Sequence, residues 1–545
     1  MATNRYLKLF GILLTVTALV GVTVGPATAD DSVVRTSDGP VVRTSGGWVR
    51  GAVAADHRTF QGIPYAAAPV RALRWRAPQP AAPWSGLRDG TQPGSPCPQM
   101  GADGPNQPPR LVGSEDCLFL NIDTPRPATR PLPVMVFLHG GGFVGGSGAP
   151  YDPTRVTTQG RVVVVTVNYR LGALGFLHHS ALDDPYAGNF GLADQQAALQ
   201  WVRRNIAAFG GDPGSVTLWG ESAGAFSTCA QLAAPGARGL FHKAIVQSGP
   251  CGNAMLTRQV AEQRGLATAS KLGCPNPRTA AECLRGKPFQ DLVGLDEDQV
   301  HMPHRDIAGL PWLPVAGTPA LPLQPLAALR HGLAANVPLI QGGTKDEMRL
   351  FVAEAYDGKG HPVTAAEYPQ ILQTMFGPKD AQATLAEYPL TRYPTPSLAL
   401  ATLLSDEGRM LGACAQLPAD DAVAQRSKVY AYDFVQPVDE VIGDFPLGAY
   451  HGADVPYFFD SRFPGAHPPV RTPAQKVFAD KLVGYWTTFA RTGNPGPGWP
   501  AYHHGTALSL SIGRIAPVDV ARDHHCHRRL TDTGTGSAHL AARTP

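Results

Sequence analysis

Short runs of aliphatic, often β-branched residues recur along the chain, and several end on a glycine or a polar residue. Val134–Leu138, Val162–Val167, Val216–Trp219, Ala244–Gln247, Val337–Gln341 and Val429–Phe434 are the clearest. They lack the polar alternation of a half-exposed strand, so they predict strands buried on both faces. Between them the spacing changes to steps of three and four. Leu192, Ala193, Gln196, Leu199, Val202 and Ile206 share one face of a helix predicted over 192–207, and Phe478–Arg491 reads the same way. Strands alternating with helices predict an α/β fold, a mostly parallel sheet with helices on both faces. The proline-rich stretches 64–109 and 311–326 read as surface loops, and 531–545 as a flexible tail.

Composition narrows the picture. With 60 Gly and 52 Pro among 545 residues, breakers are too frequent for a coiled coil or helical bundle. Hydrophobic residues make up 43% and charged residues 16%, enough core-forming material to exclude compositional disorder. The formal net charge of +3 leaves no electrostatic footprint for nucleic acid. Residues 1–29 predict a cleaved export signal. Arg5 and Lys8 precede an apolar run from Leu9 to Val24, and Ala27-Thr28-Ala29 offers a small-residue cleavage site. No other segment approaches the roughly 18 apolar residues of a membrane span, so no membrane association is expected after signal removal.

Export changes what the eight cysteines mean. None forms a CxxC pair, and an even count in an oxidising compartment favours disulfides over zinc. Short separations favour Cys97/Cys117, Cys229/Cys251 and Cys274/Cys283, leaving Cys414/Cys526, although spacing alone does not fix connectivity.

The sharpest chemical signal is Gly220-Glu221-Ser222-Ala223-Gly224, between a predicted strand and a helix expected over Ala223–Leu232. A serine needs presentation at a sharp exposed turn beside a base to act as a nucleophile, and flanking glycines permit that turn. Upstream, His139-Gly140-Gly141-Gly142-Phe143 follows a strand, as an oxyanion loop with backbone N–H donors does. Ala223 would add a third donor. An acid and then a histidine should follow the serine in sequence. After the strand at 337–341 stand Asp346 and Glu347, and spacing does not separate them. Of the later histidines, His451 leads because it lies in a glycine-flanked loop. His503 and His504 are less favoured. The His524-His525-Cys526-His527 cluster has no second ligand group at metal-binding spacing and reads as a solvated loop beside a disulfide.

Together these residues resemble the carboxylesterase/cholinesterase (type-B carboxylesterase) family of α/β-hydrolases. The likeness includes Gly62-Ile63-Pro64-Tyr65, Glu115 to Asn121, the 139–143 loop and Asn168 to Gly172. It continues through Asn189 to Leu192, Phe209 to Pro213, the 220–224 pentapeptide, Asp346-Glu347 and His451-Gly452, in family order over about 40–526. The resemblance implies an α/β-hydrolase domain over 30–530 and puts the acid on Glu347, the base on His451 and the oxyanion donors on Gly141, Gly142 and Ala223. It implies bridges Cys97–Cys117, Cys274–Cys283 and Cys414–Cys526, with Cys229–Cys251 left over as a pair. It also suggests buried ion pairs Glu115–Arg170 and Arg74–Asp194.

Departures shape the expected substrate. The Cys97–Cys117 loop contains no Trp, whereas cholinesterases place there an aromatic that binds choline, so a quaternary ammonium substrate is not expected. The same loop is short and polar, unlike a long apolar lipase lid. Phe143 and Gly145 would border the acyl pocket, and His527-Arg528-Arg529 stands where relatives tend to carry aromatics. Some relatives keep this fold as a non-catalytic adhesion module, typically without the serine; here serine, acid and histidine are all present. The expectation is a secreted serine carboxylic-ester hydrolase acting on a small-molecule ester, with a lipase or another acyl-specific esterase as the alternative. No metal or organic cofactor is required.

Overall fold

A computed structural model describes residues 33–36, 39–101, 108–126, 130–295, 302–461, 470 and 472–526. The expected export signal at 1–29, the expected tail at 531–545, residues 104–107 of the Cys97–Cys117 loop and His527-Arg528-Arg529 lie outside them. Among the described residues eleven strands form one sheet. In chain order they are β1 (Ala52–Val53), β2 (His57–Pro64), β3 (Phe119–Pro125), β4 (Leu132–Leu138), β5 (Val163–Val167) and β6 (Gly211–Glu221), then β7 (Lys243–Gln247), β8 (Leu339–Thr344), β9 (Val429–Phe434), β10 (Thr506–Ser511) and β11 (Arg514–Asp519). The spatial order is β11-β10-β9-β8-β7-β6-β4-β5-β3-β2-β1. Pairing is parallel from β5 across to β10 and antiparallel at both edges.

The predicted strands lie in the middle of this sheet, where every residue of β5, β7, β8 and β9 is buried. The strands that hydrophobic runs did not reveal are nearer the edges and carry polar residues inside. In β3, Asn121 is buried, donates to Thr166 Oγ1 at 3.0 Å and accepts from the Gly62 amide at 3.1 Å. The predicted helices form as α1 (Phe190–Asn205), α2 (Ala223–Ala233) and, toward the C-terminus, Pro473–Thr492. This last helix starts on a capping box, Thr472 with Gln475, and ends at left-handed Gly493.

The proline-rich stretch 311–326 is not a surface loop, and 64–109, though largely exposed, is pinned by buried anchors. Tyr65, Trp75, Trp312, Leu313, Val315 and Leu321 are buried. Their polar atoms find partners inside: Tyr65 Oη donates to the Asn168 carbonyl at 2.6 Å and Trp75 Nε1 to the Ala173 carbonyl at 2.9 Å. Proline there shapes extended segments around large anchors.

The two buried ion pairs exist with exchanged partners. Arg74 forks onto Glu115, both bonds at 2.6 Å, and Arg170 forks onto Asp194 at 2.7 and 2.8 Å. Chain proximity decides this. Arg170 leaves β5 directly beside α1, which carries Asp194, whereas Arg74 faces the Cys97–Cys117 segment and also donates to the Lys287 carbonyl at 2.6 Å. All four disulfides form as expected, Cys229–Cys251 included. No described helix is long and apolar enough to cross a membrane.

The core beneath the sheet's C-terminal edge is aromatic. Phe137 of β4 and Trp219 of β6 lie 4.9 Å apart, and Phe459 packs on both at 4.6 and 4.8 Å. Phe458 and Phe459 belong to the segment after β9, so this stack anchors that segment against the strand that leads into Ser222.

Candidate active site

Strand β6 turns into α2 at Ser222, which adopts φ 55° and ψ −123°. Residues with a Cβ avoid this region, at a cost of about 1–3 kcal/mol that surrounding structure must hold. Holding it are a bond from the Ser222 amide to the Gln247 carbonyl at 2.9 Å and one from the Phe226 amide to the Ser222 carbonyl at 3.0 Å. A Cβ at Gly220 would fall on the Gly224 carbonyl, and one at Gly224 on the Leu138 carbonyl. The two glycines are therefore demanded by close backbone approach.

The loop after β4 passes directly against the serine, since a Cβ at Gly140 would sit 2.8 Å from Ser222 Cβ. Gly141 (φ 108°) and Gly142 (φ 58°) turn the loop through left-handed conformations. The amides of Gly141, Gly142 and Ala223 donate to no atom among the described residues. Their neighbour His139 is structural. Its ring stacks on Tyr169 at 4.3 Å, and burial pushes its pKa down to about 4, so it is neutral. A carbonyl only accepts, so the 2.8 Å contact to Gly140 O makes Nδ1 the protonated nitrogen.

Glu347 leaves the turn after β8, buried, with Oε1 accepting from the Thr344 amide at 2.8 Å and Oε2 lying 2.6 Å from His451 Nδ1. In the neutral ring the carboxylate fixes the tautomer: Nδ1 carries the proton and Nε2 the lone pair. Ser222 Oγ lies 2.9 Å from that Nε2. Phe351 packs on the imidazole at 5.4 Å. Of the two acids that spacing left open, Glu347 meets the histidine, while Asp346 faces the Ala449 amide at 2.9 Å. His503 and His504 are exposed and touch each other. His524 corrects the solvated-loop expectation. It is 2% exposed, with Nδ1 2.6 Å from Asp406 and Nε2 3.5 Å from Asp433.

Two buried carboxyl groups at the site were not singled out from the sequence. Glu221 Oε1 lies 3.5 Å from His451 Nε2, and burial, with Asp454 and Glu347 nearby, raises its pKa to about 7 although His451 pulls it down. Asp454 accepts from Gln247 Nε2 at 2.9 Å and Tyr432 Oη at 3.3 Å; burial raises it to about 6 against the Gln247 bond. Asp454 follows His451 by three residues, the one available hint, and a loop carboxylate there otherwise reads as solvated. For His451 itself burial opposes the charged form, but Glu347, Glu221 and Asp454 outweigh it and move its pKa upward. The assembly can draw a proton from a strained serine hydroxyl.

The sequence profile described as the carboxylesterase family matches residues 38–527. The para-nitrobenzyl esterase of Bacillus subtilis (strain 168) is 35% identical over 496 residues, covering 89% of this chain and 96% of that protein. The acetylcholinesterase of Bungarus fasciatus is 32% identical over 512 residues, covering 88% and 82%. A solved PNB esterase structure superposes with a TM-score of 0.73 at 33% identity, covering 89% of this chain and 99% of that one. The chain belongs to the carboxylesterase family and has its α/β-hydrolase fold.

Proposed function

We propose that the protein is a serine carboxylic-ester hydrolase that works through an acyl-enzyme on short- to medium-chain or aryl esters. What carries this is the unbroken chain Ser222 Oγ, His451 Nε2, His451 Nδ1, Glu347 Oε2, at 2.9 and 2.6 Å, on a strained strand-to-helix turn. His451 takes the proton as Ser222 Oγ attacks the ester carbonyl, and Glu347 stabilises the imidazolium. The amides of Gly141, Gly142 and Ala223 hold the oxyanion; losing one such donor costs on the order of 3 kcal/mol in barrier height. The tetrahedral intermediate collapses, His451 protonates the departing alcohol, and then activates water to release the acid and free Ser222. No step needs a metal or an organic cofactor. The domain spans 30–530, and the protein acts outside the cell after its signal at 1–29 is removed. Four disulfides, with both sulfurs of Cys229–Cys251 fully buried, support an oxidising compartment.

The test is hydrolysis of p-nitrophenyl esters from acetate to palmitate by wild type and Ser222→Ala. Short-chain activity that disappears in the variant is the expected result. A preference for long chains would move the protein to the lipases, and a variant as fast as wild type would remove Ser222 from the chemistry.

A further inference from the structure

Asp346 and Glu347 are adjacent on the turn between β8 and the helix α3 (Arg349–Ala355), and their side chains part company. Glu347 reaches the His451 ring. Asp346 reaches the backbone two residues before it: Oδ2 accepts from the Ala449 amide at 2.9 Å, while the Asp346 amide donates to the Ala449 carbonyl at 2.9 Å. Both polar groups of Ala449 are thus held by one residue. The carboxylate is itself held, with Arg349 Nη2 2.9 Å from Oδ1 and Arg349 Nη1 3.4 Å from the Pro446 carbonyl. Gly448, at φ 63°, passes so close that a Cβ there would meet Oδ2. Next along the chain, Tyr450 donates to Glu440 Oε2 at 2.5 Å. Residues 449, 450 and 451 are each tied by a different side chain.

We propose that Asp346 is a positioning residue for His451, gripping the Ala449 backbone so that the imidazole spans Glu347 and Ser222 at hydrogen-bond distance to both. This rests on the serine-esterase function proposed above. The bonds accepted by an ionised carboxylate are among the stronger ones, so the grip is firm. Only Tyr450 separates the held residue from the imidazole, so a shift of Ala449 passes directly to the ring. A misplacement of about 1 Å costs on the order of a hundredfold in rate. The charged and titratable groups facing His451 are Glu347, Glu221 and Asp454, and Arg349 faces Asp346. Asp346 does not touch the ring, so its removal acts on geometry and leaves those neighbours in place.

The experiment measures p-nitrophenyl acetate hydrolysis by the full chain carrying Asp346→Ala, Asp346→Asn, Arg349→Met or Ser222→Ala. Rates are expressed per folded molecule, counted by circular dichroism melting, with phosphonate titration added for the variants that keep Ser222. Asp346→Ala should lower kcat about tenfold to a hundredfold with KM within about twofold. It should also move the acid limb of kcat/KM to lower pH, because the Glu347–His451 contact loosens. Asp346→Asn keeps an oxygen for the Ala449 amide and should recover to within about threefold of wild type. Arg349→Met should show a smaller loss in the same direction. A folded Asp346→Ala protein with wild-type kcat and an unmoved acid limb overturns the proposal. If Asp346→Ala does not fold, Arg349→Met decides it, and an unchanged rate there overturns it equally. An active Ser222→Ala protein would instead bring down the serine-esterase function, so the two failures are separable.

Discussion

A buried imidazole facing three carboxyl groups titrates differently from one in water. Burial pulls the His451 pKa down, and Glu347, Glu221 and Asp454 push it up further. Catalysis by the proposed route needs the neutral ring, so activity should rise with pH through a pKa above the ordinary 6.5 of histidine. Glu347→Gln removes the strongest of the favourable charges. Its acid limb should shift toward lower pH while kcat falls by about 10²–10⁴, as when the acid of a triad is neutralised. A pH–rate profile of wild type and Glu347→Gln on p-nitrophenyl acetate checks both parts, and an unmoved limb would contradict the assignment of Glu347 as the dominant partner. At this scale the sequence was legible where a residue is fixed by its neighbours along the chain, as Ser222 is between Gly220 and Gly224. It was silent where direction matters. Asp346 and Glu347 differ only in which way their side chains leave one turn, and Asp454 differs from a solvated carboxylate through its burial and its bonds to Gln247 and Tyr432.

At the scale of elements, the central strands were readable because a strand buried on both faces must be apolar throughout, and β9 was bounded as Val429–Phe434 in sequence and structure alike. The strand β10, Thr506–Ser511, alternates serine with leucine and gains its identity only from pairing with β9 and β11. Local pattern cannot express such pairing. Cys229–Cys251 shows the same coupling of elements. It ties α2, which begins at Ser222, to the segment after β7, where a Cβ on Gly249 would lie 2.9 Å from the Ser222 carbonyl. A bridge closing a separation of 22 residues is worth about 3 kcal/mol through the unfolded chain. Replacing both cysteines with alanine should lower the urea midpoint accordingly. The rate at 25 °C should stay within a few-fold, because Ser222, His451 and Glu347 keep their own hydrogen bonds. An unchanged midpoint would show that α2 is held by packing alone.

Across the whole molecule, the last strands must be fastened to the sheet, and His524 with Cys526 does this. The Cys414–Cys526 bridge closes a separation of 112 residues, and His524, two residues before it, sits buried between Asp406 of the helix Pro396–Glu407 and Asp433 of β9. Tyr388 donates to the other Asp406 oxygen at 3.0 Å. Burial opposes the imidazolium, but Asp406 and Asp433 overcome it and push the His524 pKa up to about 10. The folded pKa lies above that of the unfolded chain, near 6.5, so proton binding stabilises the fold. That stabilisation is complete below pH 6.5 and is lost as pH rises toward about 10. His524→Gln keeps a polar side chain but not the charge, and breaking a buried pair in this way costs about 3–5 kcal/mol. Thermal melting at pH 6 should therefore show a large deficit for the variant, and the deficit should shrink steadily as pH approaches 10, where wild-type His524 is losing its proton too. A deficit that stays constant from pH 6 to 10 would mean that His524 stabilises the C-terminal strands by shape and hydrogen bonding and not by its charge.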